Sequence, residues 1–371
     1  MIRIGRSWWI MGCMALLLQA CGGGPAEPTN SPQTEGDAVL PNIVVQVEGQ
    51  VLLRRVGWED FLPAGFGTVV GPGDMLQVPD GAQAAVFCGD EGLWDEGPQA
   101  LPGDGEEHGV PCQAGRPPRP WPDVAALRGE DDSGQAYVIR PRGSALLSAT
   151  PALRWNEPSA EESYEISLIA ILSDDGLERP PLEGSGGEMA WPSDWPPLEK
   201  GATYVLLVGE DSTADADSYT GSGFWLLPEE KAQQVQALEA RLRERPLSQT
   251  AQDLLVAELY LNHNLRADAM QLLEGVLRES PSAVAWIAAG GIYLELGLGN
   301  EAQQAYENAL LMAEKDGQLQ SVAQAHVGLG LAEQLREQGD LAQEQFNLAK
   351  ALFEEIGDQQ GAQTVEALLS P

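Results

Sequence analysis

Positive charge is scarce in this chain: 21 lysines and arginines face 56 aspartates and glutamates, giving a formal net charge of -35. Such a surface repels phosphate backbones and anionic headgroups, which argues against nucleic acid as a partner. Histidine is scarcer still, with three copies. His108 falls in a polar loop, His263 at a helix turn and His326 on a helix. No G-x-S-x-G, Walker or H-E-x-x-H motif accompanies them, and the carboxylates are too many to single out an acid–base pair. The expectation is no enzyme, no cofactor and no metal. No apolar run approaches the roughly 20 residues of a spanning helix. The longest, Trp8–Leu18, follows Arg3 and Arg6 and has the length of an export signal.

What is present begins with that leader. It ends in Leu18, Gln19, Ala20 and Cys21, followed by glycines and prolines. These residues resemble the lipobox of bacterial lipoproteins, with Gln19 a departure from the usual small residue. The resemblance implies cleavage before Cys21, acylation of its thiol, and a membrane partnership through the attached lipid, each buried methylene contributing about 0.8 kcal/mol. The other reading is an ordinary signal peptide cut a few residues later. Gly22 stands where an aspartate usually retains lipoproteins at the inner membrane, so the resemblance favours the outer membrane. Residues 21–40 have the composition of a flexible tether.

Of four cysteines, Cys13 lies in the leader and Cys21 is the lipid candidate, leaving Cys88 and Cys112. In an exported chain one remaining pair suggests a disulfide, closing the polar loop 89–111 and contributing about 3 kcal/mol. Zinc ligation with His108 is the alternative, without the paired C-x-x-C spacing such sites use.

From 41 to 115 the text reads as short strands: "IVVQVEGQVLLRR", "GDMLQV" and "AQAAVFC", separated by glycine turns. Gly49, Val51, Trp58, Gly65, Gly73, Asp74, Gly81 and Ala85 resemble the FecR-type extracytoplasmic module. The glycines are expected as left-handed turn positions. The transmembrane segment and cytoplasmic part of true FecR regulators are not found here, so the likeness lends a fold more than a signalling role. A Pro/Arg-rich joint, "AGRPPRPWPD", follows. Beyond it, strand candidates with Pro151, Trp155, Tyr164, Pro197, Leu198, Gly201 and Tyr204 resemble fibronectin type III-like sandwiches. Trp155 is expected in that core. The acidic stretch "GEDSTADADSYTGSG" lacks calcium-loop spacing and is expected to be a strand connection.

After Pro228 the composition turns to Ala, Leu, Gln and Glu with helical spacing. Tyr260, Ala269, Leu273 and Val276 recur 33 residues on as Tyr293, Ala302, Tyr306 and Ala309. With Pro281, Trp286, Gly290 and Gly297 these resemble tetratricopeptide repeats. A third unit over 320–357 leaves Gly330 and Ala332 as alternatives for its small packing residue.

The chain is therefore expected to be multidomain α+β. N-terminal all-β modules, a FecR-like β domain and an immunoglobulin/fibronectin-like sandwich, precede a C-terminal all-α tetratricopeptide solenoid. Its divisions are 1–20 leader, 21–40 tether, 41–115 first module, 116–134 linker, 135–227 sandwich and 228–371 helices. The repeat resemblance implies a protein or peptide partner in a concave groove formed by Leu254, Glu258, Leu261, Asn262, Ile287, Gly291, Leu294 and Glu295. Self-packing, or cover by the sandwich, would occupy the same positions. Two other functions remain open: binding of peptidoglycan or surface polysaccharide by the β modules, and FecR-like signal sensing.

Overall fold

The computed structural model describes residues 39–124, 136–157, 163–172, 179–209 and 223–369. The leader, Cys21 and most of the tether lie outside them, as do residues 210–222 of the acidic stretch. Sixteen strands in four small sheets precede eight packed helices among the described residues, the β-then-α order expected.

The first module holds β1 (Asn42–Glu48), β2 (Leu52–Arg54), β3 (Leu62–Pro63), β4 (Val69–Val70), β5 (Met75–Gln77), β6 (Gln83–Phe87), β7 (Gln99–Leu101) and β8 (Glu107–Gly109). They form two antiparallel sheets, ordered β4-β1-β6-β7 and β3-β2-β5-β8. Val44 and Val86 face the core between the sheets, with Val51, Leu53 and Leu76. Ile43, Val45, Ala85 and Phe87 point the other way, into a core shared with the helices. This sheet is buried on both faces, which is why "IVV" and "AAVF" run continuously apolar where a one-faced strand alternates.

Cys88 and Cys112 are joined by a disulfide within the inner core. The loop it closes is more ordered than its polar composition suggests. It contains a short 3-10 helix, Glu91–Glu96, capped by Asp90, which accepts from the Gly92 N–H at 2.9 Å. Gly49, Gly73 and Gly81 adopt positive φ as expected, but Gly65 does not. The left-handed position is Gly67, while a Cβ on Gly65 would lie 2.8 Å from Gln318 Nε2, a flexible end that can swing aside.

The second module comprises β9 (Val138–Arg140), β10 (Ser144–Leu146), β11 (Leu153–Trp155), β12 (Tyr164–Leu172), β13 (Leu182–Gly184), β14 (Glu188–Met189), β15 (Thr203–Gly209) and β16 (Gly223–Leu226). A five-stranded sheet, β10-β16-β15-β12-β13, and a three-stranded one, β14-β11-β9, enclose one core. Trp155 is in that core, 2% exposed, beside Tyr164, Tyr204 and Phe224. Gly184 makes room for it, since a Cβ there would approach the indole ring to 3.0 Å.

The helices are α1 (Glu229–Arg243), α2 (Gln249–Asn262), α3 (Arg266–Glu279), α4 (Ala283–Glu295), α5 (Gly299–Lys315), α6 (Leu319–Leu335), α7 (Gly339–Glu355) and α8 (Gln359–Leu369). Ser248 and Ser282 cap α2 and α4, accepting from the N–H groups of Ala251 and Ala285. Successive helices pack together, and paired small and large residues set their approach. Tyr306 of α5 lies where a Cβ on Gly290 of α4 would be, at 2.7 Å. Phe346 of α7 stands likewise over Gly330 of α6, at 2.4 Å. The first pair has Ala257 and Leu273 at the matching positions, both buried. A smaller large residue there tolerates a larger small one. Gly330, 40 residues after Gly290, is thus the packing glycine of the third unit.

Candidate functional site

The inner face of the helical array, toward which the expected groove residues turn, is covered by other parts of the same chain. Residues 55–69 of the first module cross it. Gly67 lies against α2 and α4, where a Cβ would meet Val284 at 3.3 Å and Leu254 at 3.6 Å. Arg55 donates to Gln320 Oε1 on α6 at 3.2 Å, and Gly57 approaches Gly357 beyond α7. Leu62, Phe66 and Val69 pack onto the shared core, with Trp58 buried in it.

Beside this loop runs the Pro/Arg-rich joint. Its backbone is tied at one end, where the Arg116 N–H donates to the Leu40 carbonyl at 2.8 Å. The Arg116 guanidinium donates to Asn262 Oδ1 on α2. Arg119 Nη2 donates to the same oxygen at 2.9 Å and to the Glu258 carbonyl at 3.3 Å. Arg119 Nε stands 3.6 Å from the Glu258 carboxylate. Asn262 Nδ2 in turn donates to the Val39 carbonyl at 3.1 Å. Trp121 meets Tyr306 with ring centroids 6.3 Å apart, and Val124 is buried in the common core.

Burial raises the Glu258 carboxyl above the ordinary glutamate range, while Arg119 and Arg116 pull it back. That balance is expected for an acid placed to receive a cation out of water. Burial, with Glu295 nearby, likewise raises the Tyr306 phenol.

Each expected groove residue is accounted for. Leu254 and Leu294 are buried, while Leu261 and Ile287 are half-buried against the shared core. Gly291 is half-buried near the Tyr306 hydroxyl. Glu258 and Asn262 hold the joint, and Glu295 accepts from Arg266 at 2.5 Å. The structure brings these residues onto a face that the first module and the joint fill, where the sequence left an open groove, self-packing or cover by the sandwich as alternatives.

Several residues that build this site were missed. Trp58, Phe66 and Trp121 are the aromatic anchors, and Trp94 docks the 3-10 turn on α1, where Arg241 stacks 5.2 Å from its ring centre. The usable signal was two-faced apolar runs beside a cluster of tryptophans in loops otherwise polar. The histidines are engaged locally: His108 with Asp104 at 2.8 Å and His326 with Gln345 at 2.7 Å. Among the described residues no group of three or more histidines, cysteines or carboxylates could hold a metal ion, and no helix is long and apolar enough to cross a membrane.

The face described can hold an extended chain by cation–carboxylate, amide and ring contacts. No family model matches the sequence, and no curated protein is similar to it.

Proposed function

We propose that the chain is a non-enzymatic lipoprotein scaffold of a bacterial cell envelope, anchored through Cys21 and engaging protein partners through its tetratricopeptide-like helices. The observation that carries this reading is the way α2 receives an extended Arg-Pro segment. Glu258 and Asn262 grip two guanidinium groups, and a tryptophan seats against Tyr306. A face that orders one such segment has the chemistry to order another. The anchor rests on Leu18–Cys21, and an outer-membrane address on Gly22.

The test is site-specific crosslinking in intact envelopes, with the full chain in every arm. Removing the helices would strip cover from Phe87 and Trp94, so point variants are the better probe. Cys21→Ser is expected to move the protein from the membrane fraction to the soluble one. Glu258→Lys is expected to lose the crosslinked protein partner, and the neutral Glu258→Gln, which melts closer to the parent, is expected to weaken the same crosslink. Identical crosslinks in the parent and Glu258→Lys would sink the assignment of this face.

A further inference from the structure

Three properties set the joint apart from the rest of the chain. It concentrates two arginines in a molecule with a net charge of -35. Its four prolines, Pro117, Pro118, Pro120 and Pro122, fix the backbone near an extended polyproline conformation at low entropic cost and remove donors that would otherwise need a strand partner. None of residues 113–123 belongs to a strand or helix, yet the segment is held by side chains of α2 and α5. It therefore sits on the array as a bound peptide sits, through anchors and without secondary structure of its own.

The floor beneath it carries a second sign of a recognition site. Tyr306 is fully buried, and its hydroxyl has no hydrogen-bond partner among the described residues. A buried phenol with an unpaired hydroxyl costs roughly 1–3 kcal/mol, and the residue could be phenylalanine if packing were its whole role. The hydroxyl lies beside Gly291 of α4, and the ring that carries it is the one Trp121 of the joint meets.

We propose that residues 115–124 are an intramolecular ligand, occupying in cis the site where an extended arginine-, proline- and tryptophan-bearing segment of a partner protein binds. The inference rests on the scaffold reading and specifies its partner chemistry. The resident segment competes at the high effective concentration of a tethered group, on the order of millimolar. A free segment of the same chemistry at micromolar concentration cannot displace it, so the site is closed until the joint is drawn away or a better-fitting segment arrives. The joint is held mainly by two arginines, Trp121 and Val124, whereas residues 55–69 add Trp58, Leu62, Phe66 and Val69 to the shared core, so the joint is assigned as the part that exchanges.

The experiment uses the full chain and a fluorescein-labelled synthetic peptide of residues 114–124, followed by anisotropy. Arg116→Ala/Arg119→Ala/Trp121→Ala removes the side-chain anchors that hold the joint on α2 and α5. This variant is expected to bind the peptide at least tenfold tighter than the parent, and adding Glu258→Gln is expected to remove at least tenfold of that gain. A scrambled peptide of equal composition is expected to bind neither protein. If the triple variant fails to melt cooperatively, Arg119→Ala alone is read in the same assay.

Peptide binding no tighter in the folded variant than in the parent overturns the proposal, as does equal binding of the scrambled peptide. Envelope crosslinking separates the two readings. A partner still captured by the parent and lost in Glu258→Lys, with no peptide binding, leaves the scaffold standing and removes the cis ligand. Loss of both removes both.

Discussion

The two β modules meet the same helices through different balances of apolar and polar contact. The first presents Ile43, Val45, Phe87, Trp58 and Trp94 to the array and shares one apolar core with it. The second keeps a core of its own, to which the helices contribute only Ala267 among the buried residues, and meets them along a seam where charges and hydrogen bonds surround the smaller apolar contacts of Ile139 and Ala145. Tyr137 donates to Glu301 at 2.8 Å, Arg140 and Arg154 converge on Glu274, and Arg142 donates to the Leu296 carbonyl at 3.0 Å. Ala267 N–H donates to Ser144 Oγ at 3.1 Å, and Leu147 N–H to Asp268 Oδ2 at 3.2 Å. Apolar burial is non-directional, does not titrate and is not weakened by charge screening, whereas a seam of charges and hydrogen bonds responds to both pH and ionic strength. One module is thus built into the helical array, and the other is fastened to it.

The largest test of this contrast compares two core aromatics. Phe87→Ala is expected to cost about 3–5 kcal/mol, and hydrogen exchange is expected to speed up in α2 to α6 as well as in β1 and β6. Trp155→Ala is expected to cost a similar amount within the sandwich while leaving helix exchange unchanged. Equal loosening of the helices by both would merge the regions into one cooperative unit and end the comparison. Next in size is Cys88→Ser/Cys112→Ser, expected to lose about 2–4 kcal/mol. Because Cys88 adjoins Phe87, the loss is expected to appear in the helical circular-dichroism signal during urea unfolding. A helical transition unmoved by the change would show that the two faces of β6 are uncoupled.

Gly330→Ala probes the array itself. Forcing a methyl against Phe346 is expected to cost about 1–3 kcal/mol. Phe346→Leu in the same chain is expected to recover part of it, because Ala257 and Leu273 already form the tolerated version of that pair. A double variant no better than Gly330→Ala alone would refute the size-matching account.

These outcomes also mark what the sequence made legible. The β-to-α order, the repeated helix pairs, the Cys88–Cys112 bond and the core position of Trp155 follow from local periodicity, turn residues and cysteine arithmetic, which act over short spans. The packing register of the third unit was ambiguous because Gly330 and Ala332 are both small, and only Phe346 across the interface distinguishes them. Cover of the inner face was the least legible feature. It depends on contacts such as Gly67 with Leu254 and Arg119 with Glu258, which join positions more than a hundred residues apart. No local pattern encodes such pairings. The apolar runs at 43–45 and 84–87, read as ordinary alternating strands, held the local sign of a second surface to bury without naming what buries it.

The smallest expected effect sharpens the polar side of the contrast. Asp268 of α3 sits in the seam, and burial pushes its carboxyl up to about 6, against the downward pull of the Leu147 N–H and of Arg140. Between about pH 4 and 6 the folded chain keeps a proton that the unfolded chain has released, so folding at this site weakens as pH rises through that window. Above pH 6 the full cost of a buried carboxylate is present. Asp268→Asn keeps an oxygen to accept from Leu147 and removes the charge. The variant is therefore expected to melt about 2–4 °C above the parent at pH 7.5 and to lose that advantage by pH 4.5. A joint variant such as Arg119→Ala, scanned over the same range, leaves the seam untouched and is expected to keep the parent's Asp268-dependent slope. Parallel melting curves for the parent and Asp268→Asn across this range would mean that the carboxylate is solvated in solution. The seam would then be no more pH-responsive than the apolar cover it is contrasted with.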